Sequence, residues 1–502
     1  MLRRDSEPKQ QSFADQARAM RAVPDDHLLM QMKRAADWDA VDAALAPYYD
    51  GAVGRSSYPP AVIVRMLVVE QYADLSDREA HEQVAYNLLY RAFVGLGADE
   101  PVPDDTTLVV FRRRIGAEGM RKVFALLNRQ WEAAGLISGE RRVVDGVHLW
   151  AKVARRSWVS LMQKGRALVI EAVAALDAGR AERLRGEFVA PGDQSEARGE
   201  EALRLERERT EKLLAAVADV TDERVRERAA LVQALLGDQD RPVSFDDPDA
   251  RWGYKGEDKP FCGYKAHESM DPDSRMITSV DVVPGNANEA VRTEELLAQE
   301  TTTRKEGAPV IGDGLYNNER TIEQVKRGGG TPCFSGLRAE RVSDAFHYEV
   351  AADELVCPEG KRSIGKVRVG QGDLYYFSMG DCKGCPRRNE CLTRGEREGK
   401  AQPRRRVFLS EVRKRKVVGG EAGGAWRREQ LRVRGRIEAK FDEQMNRHGL
   451  RRARYWGLAK VTVQVLVNAI TVNLKRAAKL LARRAARPPG GTPAVGAVEA
   501  VA

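Results

Sequence analysis

Apolar residues recur at three- and four-residue spacing through YPPAVIVRMLVVEQYADLSDREAHEQVAYNLLYRAFVGLG, residues 58–97, which predicts amphipathic helices. Ser76 followed by Glu79 forms a capping-box start inside that run. Another helix is expected after PVPDDTTL, capped by Asp105 or Thr106 and ending in FRRRIG. Residues 1–135 therefore read as an all-α unit of short helices and polar turns, suited to DNA binding or to dimerisation.

The period then changes to two. In RRVVDGVHLW, alternation puts Val143, Asp145, Val147 and Leu149 on one strand face and Val144, Gly146, His148 and Trp150 on the other. A charge-dense helical pair or hairpin is expected at 155–240 as an insertion. FCGYKAHESMD and SRMITSVDVVPGNAN, joined by DPDS, predict a β-hairpin. A helix (EAVRTEELLAQE), a strand ending at Asp313, a helix (NERTIEQVKR) and a strand (TPCFSG) follow. The order implies an α/β fold with a mixed sheet covered on both faces. That unit spans 136–485, with a Gly-, Lys- and Arg-rich insertion at 340–425, and the tail 486–502 is expected to be disordered.

Three acids interrupt this pattern. Asp145 lies inside an apolar strand, Asp313 ends another, and Glu438 shares a helix face with Arg434, Phe441 and Met445. Singly, Asp313 can cap a turn and Glu438 can pair with Arg434. An aspartate flanked by Val143 and Val147 is costly to bury without a cation or partner. Jointly the three suit a hard divalent cation, which prefers oxygen ligands.

Charge adds a substrate class. The 502-residue chain carries 83 Lys+Arg against 74 Asp+Glu, net charge +9. Basic residues cluster at 112–114, 403–416 and 447–454, as phosphate contacts require. No secretory pattern opens the sequence, and VTVQVLVNAITVNL (461–474) is too short to span a bilayer, so a soluble, cytoplasmic, nucleoid-associated protein is expected. Cys382-x2-Cys385 fits half of a Zn²⁺ knuckle that Cys357 and Cys391 would complete; unpaired thiols are the alternative. Cys262 and Cys333 read as core residues, and His148 and His267 as structural.

In LSDREAHEQVAYNLLYRAFVGL, PVPDDTTLVVFRRR, VVDGVHLWA, DPDARWG, GYKAHESMD, TSVDVVPGNAN, GDGLYNNER and RIEAKFDEQMNRHGLRRARYWGL, the chain resembles bacterial insertion-sequence DDE transposases. The likeness spans roughly 45–475, in order, to members with an InsH-type helical N-terminal domain and an RNase H-like catalytic domain. It implies that Asp145, Asp313 and Glu438 bind two Mg²⁺ (or Mn²⁺) ions, with Arg434 matching the arginine four residues before the glutamate. It further implies double-stranded DNA partners (terminal inverted repeats and target) and a homodimer or larger synaptic complex, with no membrane. Arg112, Arg113, Arg114, Arg434, Lys440, Arg447, Arg451 and Arg452 are the expected DNA contacts. The chain departs from relatives at Val147 (Thr or Ser), Leu431 (Tyr) and Met445 (Lys or Arg). A nuclease without strand transfer and a noncatalytic DNA-binding repressor are the alternatives.

Overall fold

The computed structural model describes residues 23–49, 57–154, 157–189, 199–237, 241–255, 259–335, 345–369, 372–392, 404–410, 414 and 424–486. The tail after 486 and residues 403, 411–413, 415 and 416 of the basic block lie outside the described residues.

The N-terminal part folds as α1 (Leu28–Arg34), α2 (Trp38–Leu45), α3 (Pro60–Tyr72), α4 (Asp77–Tyr86), α5 (Leu88–Val94) and α6 (Asp105–Ala133). Ser76 and Glu79 form the expected capping box of α4. The cap of α6 is Asp104, one residue earlier than expected, and its carboxylate accepts from the Thr107 N–H at 2.7 Å. That helix does not end at FRRRIG but resumes beyond Gly116, whose φ of 58° breaks the helical path. Only glycine takes that conformation without strain.

After β1 (Arg142–Trp150), the charge-dense stretch forms four helices rather than a pair: α7 (Trp158–Ala174), α8 (Ala178–Phe188), α9 (Glu200–Ala216) and α10 (Glu223–Ala234). The additional boundaries follow from side-chain caps at Asp177 and Asp222, which give the backbone places to turn. These helices bury their own cluster, including Leu161, Ile170, Leu213 and Val232. A buried Arg166–Glu206 ion pair crosses it at 2.5 Å.

The main sheet holds β1, β2 (Arg251–Tyr254), β3 (Pro260–Asp271), β4 (Met276–Pro284), β5 (Pro309–Gly312) and β6 (Thr331–Phe334). β2 and β4 both pair with β3, which runs antiparallel to β1, whereas β1, β5 and β6 are parallel. Between β4 and β5 lies α11 (Thr293–Ala298), and between β5 and β6 lies α12 (Glu319–Arg327). Alternation along β1 holds: Val143, Val147 and Leu149 join the large core, and Val144 packs with Leu296 and Tyr316 on the opposite face.

The Cys-rich part holds β7 (His347–Glu349) with β8 (Glu354–Val356), and β9 (Ser363–Val369) with β10 (Gly372–Phe377) and β11 (Arg406–Ser410). Among the described residues, two short helices, α13 (Met379–Lys383) and α14 (Arg388–Cys391), lie between β10 and β11. The chain closes with α15 (Gly424–Arg432), α16 (Gly435–Arg447) and α17 (Leu458–Ala485).

Helix α17 contains the expected buried run, and its polar residues have specific partners. Asn473 accepts from the Ile277 N–H at 2.8 Å and donates to the Ile277 carbonyl at 2.7 Å, and Asn468 donates to the His448 carbonyl at 2.8 Å. Each bond satisfies a group whose burial is otherwise costly. The helix contacts α1, α3, α6 and β4, so N-terminal helices and sheet share one core. Among the described residues no helix is long and apolar enough to cross a membrane.

Candidate active site

Strand register places the first two acids. Val143 is level with Ile311 in the parallel β1–β5 ladder, and two further residues along each chain lead to Asp145 and Asp313. Helix α16 lies over this part of the sheet, with Ile437 and Phe441 in the core and Glu438 turned toward solvent.

Arg434, at the start of that helix, links the acids. Its Nη2 is 2.7 Å from Glu438 Oε1, one turn along, and its Nη1 is 4.0 Å from Asp145 Oδ2. Burial pushes the Asp145 carboxyl up to about 7; the Gly146 N–H and Arg434 oppose the shift, and Asp313 and Glu438 add to it. Asp145 Oδ1 accepts from Gly146 N–H at 2.8 Å. Asp313 caps the following turn, accepting from Leu315 N–H at 2.8 Å. The arrangement is a half-buried carboxylate facing two like charges, with one arginine as counter-ion.

Among the described residues no group of three or more His, Cys, Asp or Glu side chains is gathered as a metal-holding set. At the acids, Glu438 is already engaged by Arg434, and the guanidinium supplies the positive charge. Carboxylate oxygens are the donor type that Mg²⁺ takes, so Asp145 and Asp313 fit such an ion, and Glu438 fits it once released from Arg434.

A fourth acid was missed by the sequence reading. Glu268 is the cross-strand partner of Asp145 in the β1–β3 ladder, so Glu268, Asp145 and Asp313 stand nearly level on three neighbouring strands. Glu268 is fully buried, and its Oε1 accepts from Gln444 Nε2 of α16 at 3.0 Å.

The expected DNA contacts divide. Arg113, Arg114, Arg447, Arg451 and Arg452 are exposed, with Arg114 stacked 4.6 Å over Tyr49. Arg451 and Arg452, with Lys152 and Trp150, line a cleft of 1210 Å³ that Asp74 and Asp77 border from the N-terminal helices. Two residues depart from expectation. Arg112 turns inward to Glu70 (3.3 Å) and Asp77 and stacks on Tyr455, because a helix start with two acids lies beside it. Lys440 is buried and bonded to Glu443 at 2.8 Å, so its ammonium is not presented to DNA.

The four candidate cysteines surround one cavity of 440 Å³. Cys357 Sγ accepts from Lys361 N–H at 3.3 Å and Cys382 Sγ from Arg405 N–H at 3.5 Å. Burial raises the Cys382 and Cys391 thiols, and each faces the other cysteines. Cys262 and Cys333 are buried in β3 and β6, as expected. His267 hydrogen-bonds Tyr316 Oη at 2.8 Å, on the face away from the acids.

The site thus brings two strand aspartates and a helix glutamate to one end of the sheet, linked by Arg434. Residues 17–114 match the family described as Transposase domain (DUF772), and residues 356–478 match the Transposase DDE domain. The chain belongs to the insertion-sequence DDE transposases, enzymes that cleave and transfer DNA strands. The second match includes Glu438 and the four cysteines.

Proposed function

We propose that Asp145, Asp313 and Glu438 form the catalytic centre, on an RNase H-like sheet, for cutting an element's ends and joining them to target DNA. The observation that carries this reading is the near-level position of Asp145 and Asp313 on adjacent parallel strands, under the helix bearing Glu438. The acids would hold two Mg²⁺ (or Mn²⁺) ions. When bound, such ions activate the attacking oxygen and stabilise the leaving one.

The chain's own residues supply the rest. Asp145 binds a cation only as the anion, so at neutral pH it must release the proton that burial favours. Arg434 holds that anion while no cation is present and is free to turn toward a phosphate when Glu438 is released. Lys152, Arg451 and Arg452 would hold the DNA backbone in the cleft beside the N-terminal helices, and exposed Trp150 offers a stacking surface. The helical N-terminal part would recognise the terminal repeats, and paired ends would be held by a homodimer or larger synaptic complex. Cys357, Cys382, Cys385 and Cys391 would close on one structural Zn²⁺, their shared cavity and N–H···S bonds being what supports it.

Asp145→Asn tests the site. It should bind end DNA as the wild type does and lose Mg²⁺-dependent cleavage. Retained cleavage would remove Asp145 from the centre.

A further inference from the structure

Glu268 is 0% exposed, and so is Gln444, the α16 residue that donates to its Oε1. Glu268 Oε2 and Gln444 Oε1 are both buried with no hydrogen-bond partner among the described residues. Two bare buried oxygens on one bonded pair are costly, roughly 1–3 kcal/mol for each group. Lys440 is the nearby cation, but its ammonium is bonded to Glu443 at 2.8 Å.

One proton removes both deficits. A protonated glutamate has an O–H donor, and an amide already donating N–H to the other carboxyl oxygen presents its carbonyl to that O–H. The acid and amide then close a ring of two hydrogen bonds, and no charge is left in the interior. Burial acts in the same direction, pushing the Glu268 carboxyl up to about 7 against the bond from Gln444 and the charge of Lys440.

We propose that Glu268 is carried as a neutral acid doubly hydrogen-bonded to Gln444, and that this pair is a positioning device holding the Glu438 helix over Asp145. Gln444 lies six residues beyond Glu438 on α16, and Glu268 is opposite Asp145 on β3, so the pair ties the third acid's helix to the strand beside the first. Glu268 therefore acts through geometry and takes no ligand. This inference rests on the proposed centre; its test is arranged so that the two fail separately.

The experiment compares full-length wild type, Glu268→Gln, Glu268→Met and Asp145→Asn in single-turnover cleavage at saturating end DNA with Mg²⁺. Folding is checked by circular dichroism and DNA affinity by titration. Glutamine restores a two-bond amide pair, so Glu268→Gln should stay within about threefold of wild type, under 1 kcal/mol of barrier. Glu268→Met keeps the volume and loses both bonds. It should cleave tenfold to hundredfold more slowly with DNA affinity unchanged, the scale on which a misplacement of about 1 Å acts. A folded Glu268→Gln as inactive as Asp145→Asn would make Glu268 an ionised ligand and overturn the proposal; so would full activity in Glu268→Met. Should the Glu268 variants not fold, the infrared carbonyl stretch of Asp145→Asn decides, because Asp145 is itself pushed up to about 7 and would add its own band to the wild type: a protonated-carboxyl band that persists at neutral pH in Asp145→Asn supports the neutral acid, and its absence overturns it. Activity retained in Asp145→Asn would reject the centre itself, and the infrared result would still judge Glu268.

Discussion

Arg434 lies 2.7 Å from Glu438, one turn along the same helix, and this contact occupies the acid proposed to complete a cation site. The same guanidinium holds the Asp145 carboxyl down against its burial. Arg434→Gln should therefore move Asp145 further up, and Mn²⁺ binding should require a higher pH, by up to about one unit. Calorimetric titrations between pH 6 and 9 check this. A shift toward acid would contradict it.

Stability should follow Asp145 with a defined sign. Its folded pKa of about 7 stands above the ordinary 3.8, so between those values the native chain holds a proton that the unfolded chain has released. Stability then falls as pH rises through that window and levels off above it. Asp145→Asn removes the penalty and should stabilise the metal-free protein at pH 8 by on the order of 1–3 kcal/mol, with little gain near pH 4. Denaturant melts at the two pH values measure it, and an equal gain at both would contradict the assignment.

The neighbouring arginines of the RRR block should separate cleanly. Arg112→Ala strips one partner from Glu70, which is 1% exposed and keeps Arg454 and the Tyr455 hydroxyl, each at 2.9 Å, and should cost about 1–3 kcal/mol. Arg113→Ala should leave the melting temperature nearly unchanged and lower the salt slope of DNA binding by about one. Both effects in one residue would mean the inward and outward roles are wrongly divided.

For the cysteines, full-length protein purified without chelator should carry about one zinc per chain, bound by four thiolates. Cys382→Ser should lose the metal and melt at lower temperature. Cobalt substitution should give the absorption bands of tetrahedral thiolate. Metal-free wild type with an unchanged melt would reject the site.

Much of this was legible in residue patterns, since local chemistry fixes caps and periods. The Ser76 capping box, the hairpin around DPDS, the alternating faces of β1 and the buried helix at 461–474 all follow from short windows. Asp145 and Asp313 stood out because acids in apolar strands are rare. Glu268 did not, because GYKAHESMD reads as a half-polar strand; Lys265, His267, Glu268, Ser269 and Asp271 are nonetheless all buried, and Glu268 finds Gln444 176 residues away. The inward turn of Arg112 likewise depends on Glu70, 42 residues earlier, and no periodicity reports such a pairing. Strand β2, only four residues long, sits against Phe261 and Cys262, and its sequence RWGY carries too little alternation to announce a strand.

In the proposed centre, three acids from two strands and a helix act together on metal. The most direct measurement is cleavage and strand transfer on DNA bearing the element's own ends, wild type against Glu438→Gln, with and without Mg²⁺. Wild type should cut and join only with the metal. The variant should lose at least about hundredfold, beyond the 10–100-fold of residues that merely support a ligand. Cleavage by Glu438→Gln at the wild-type rate, or by wild type without divalent metal, would contradict it.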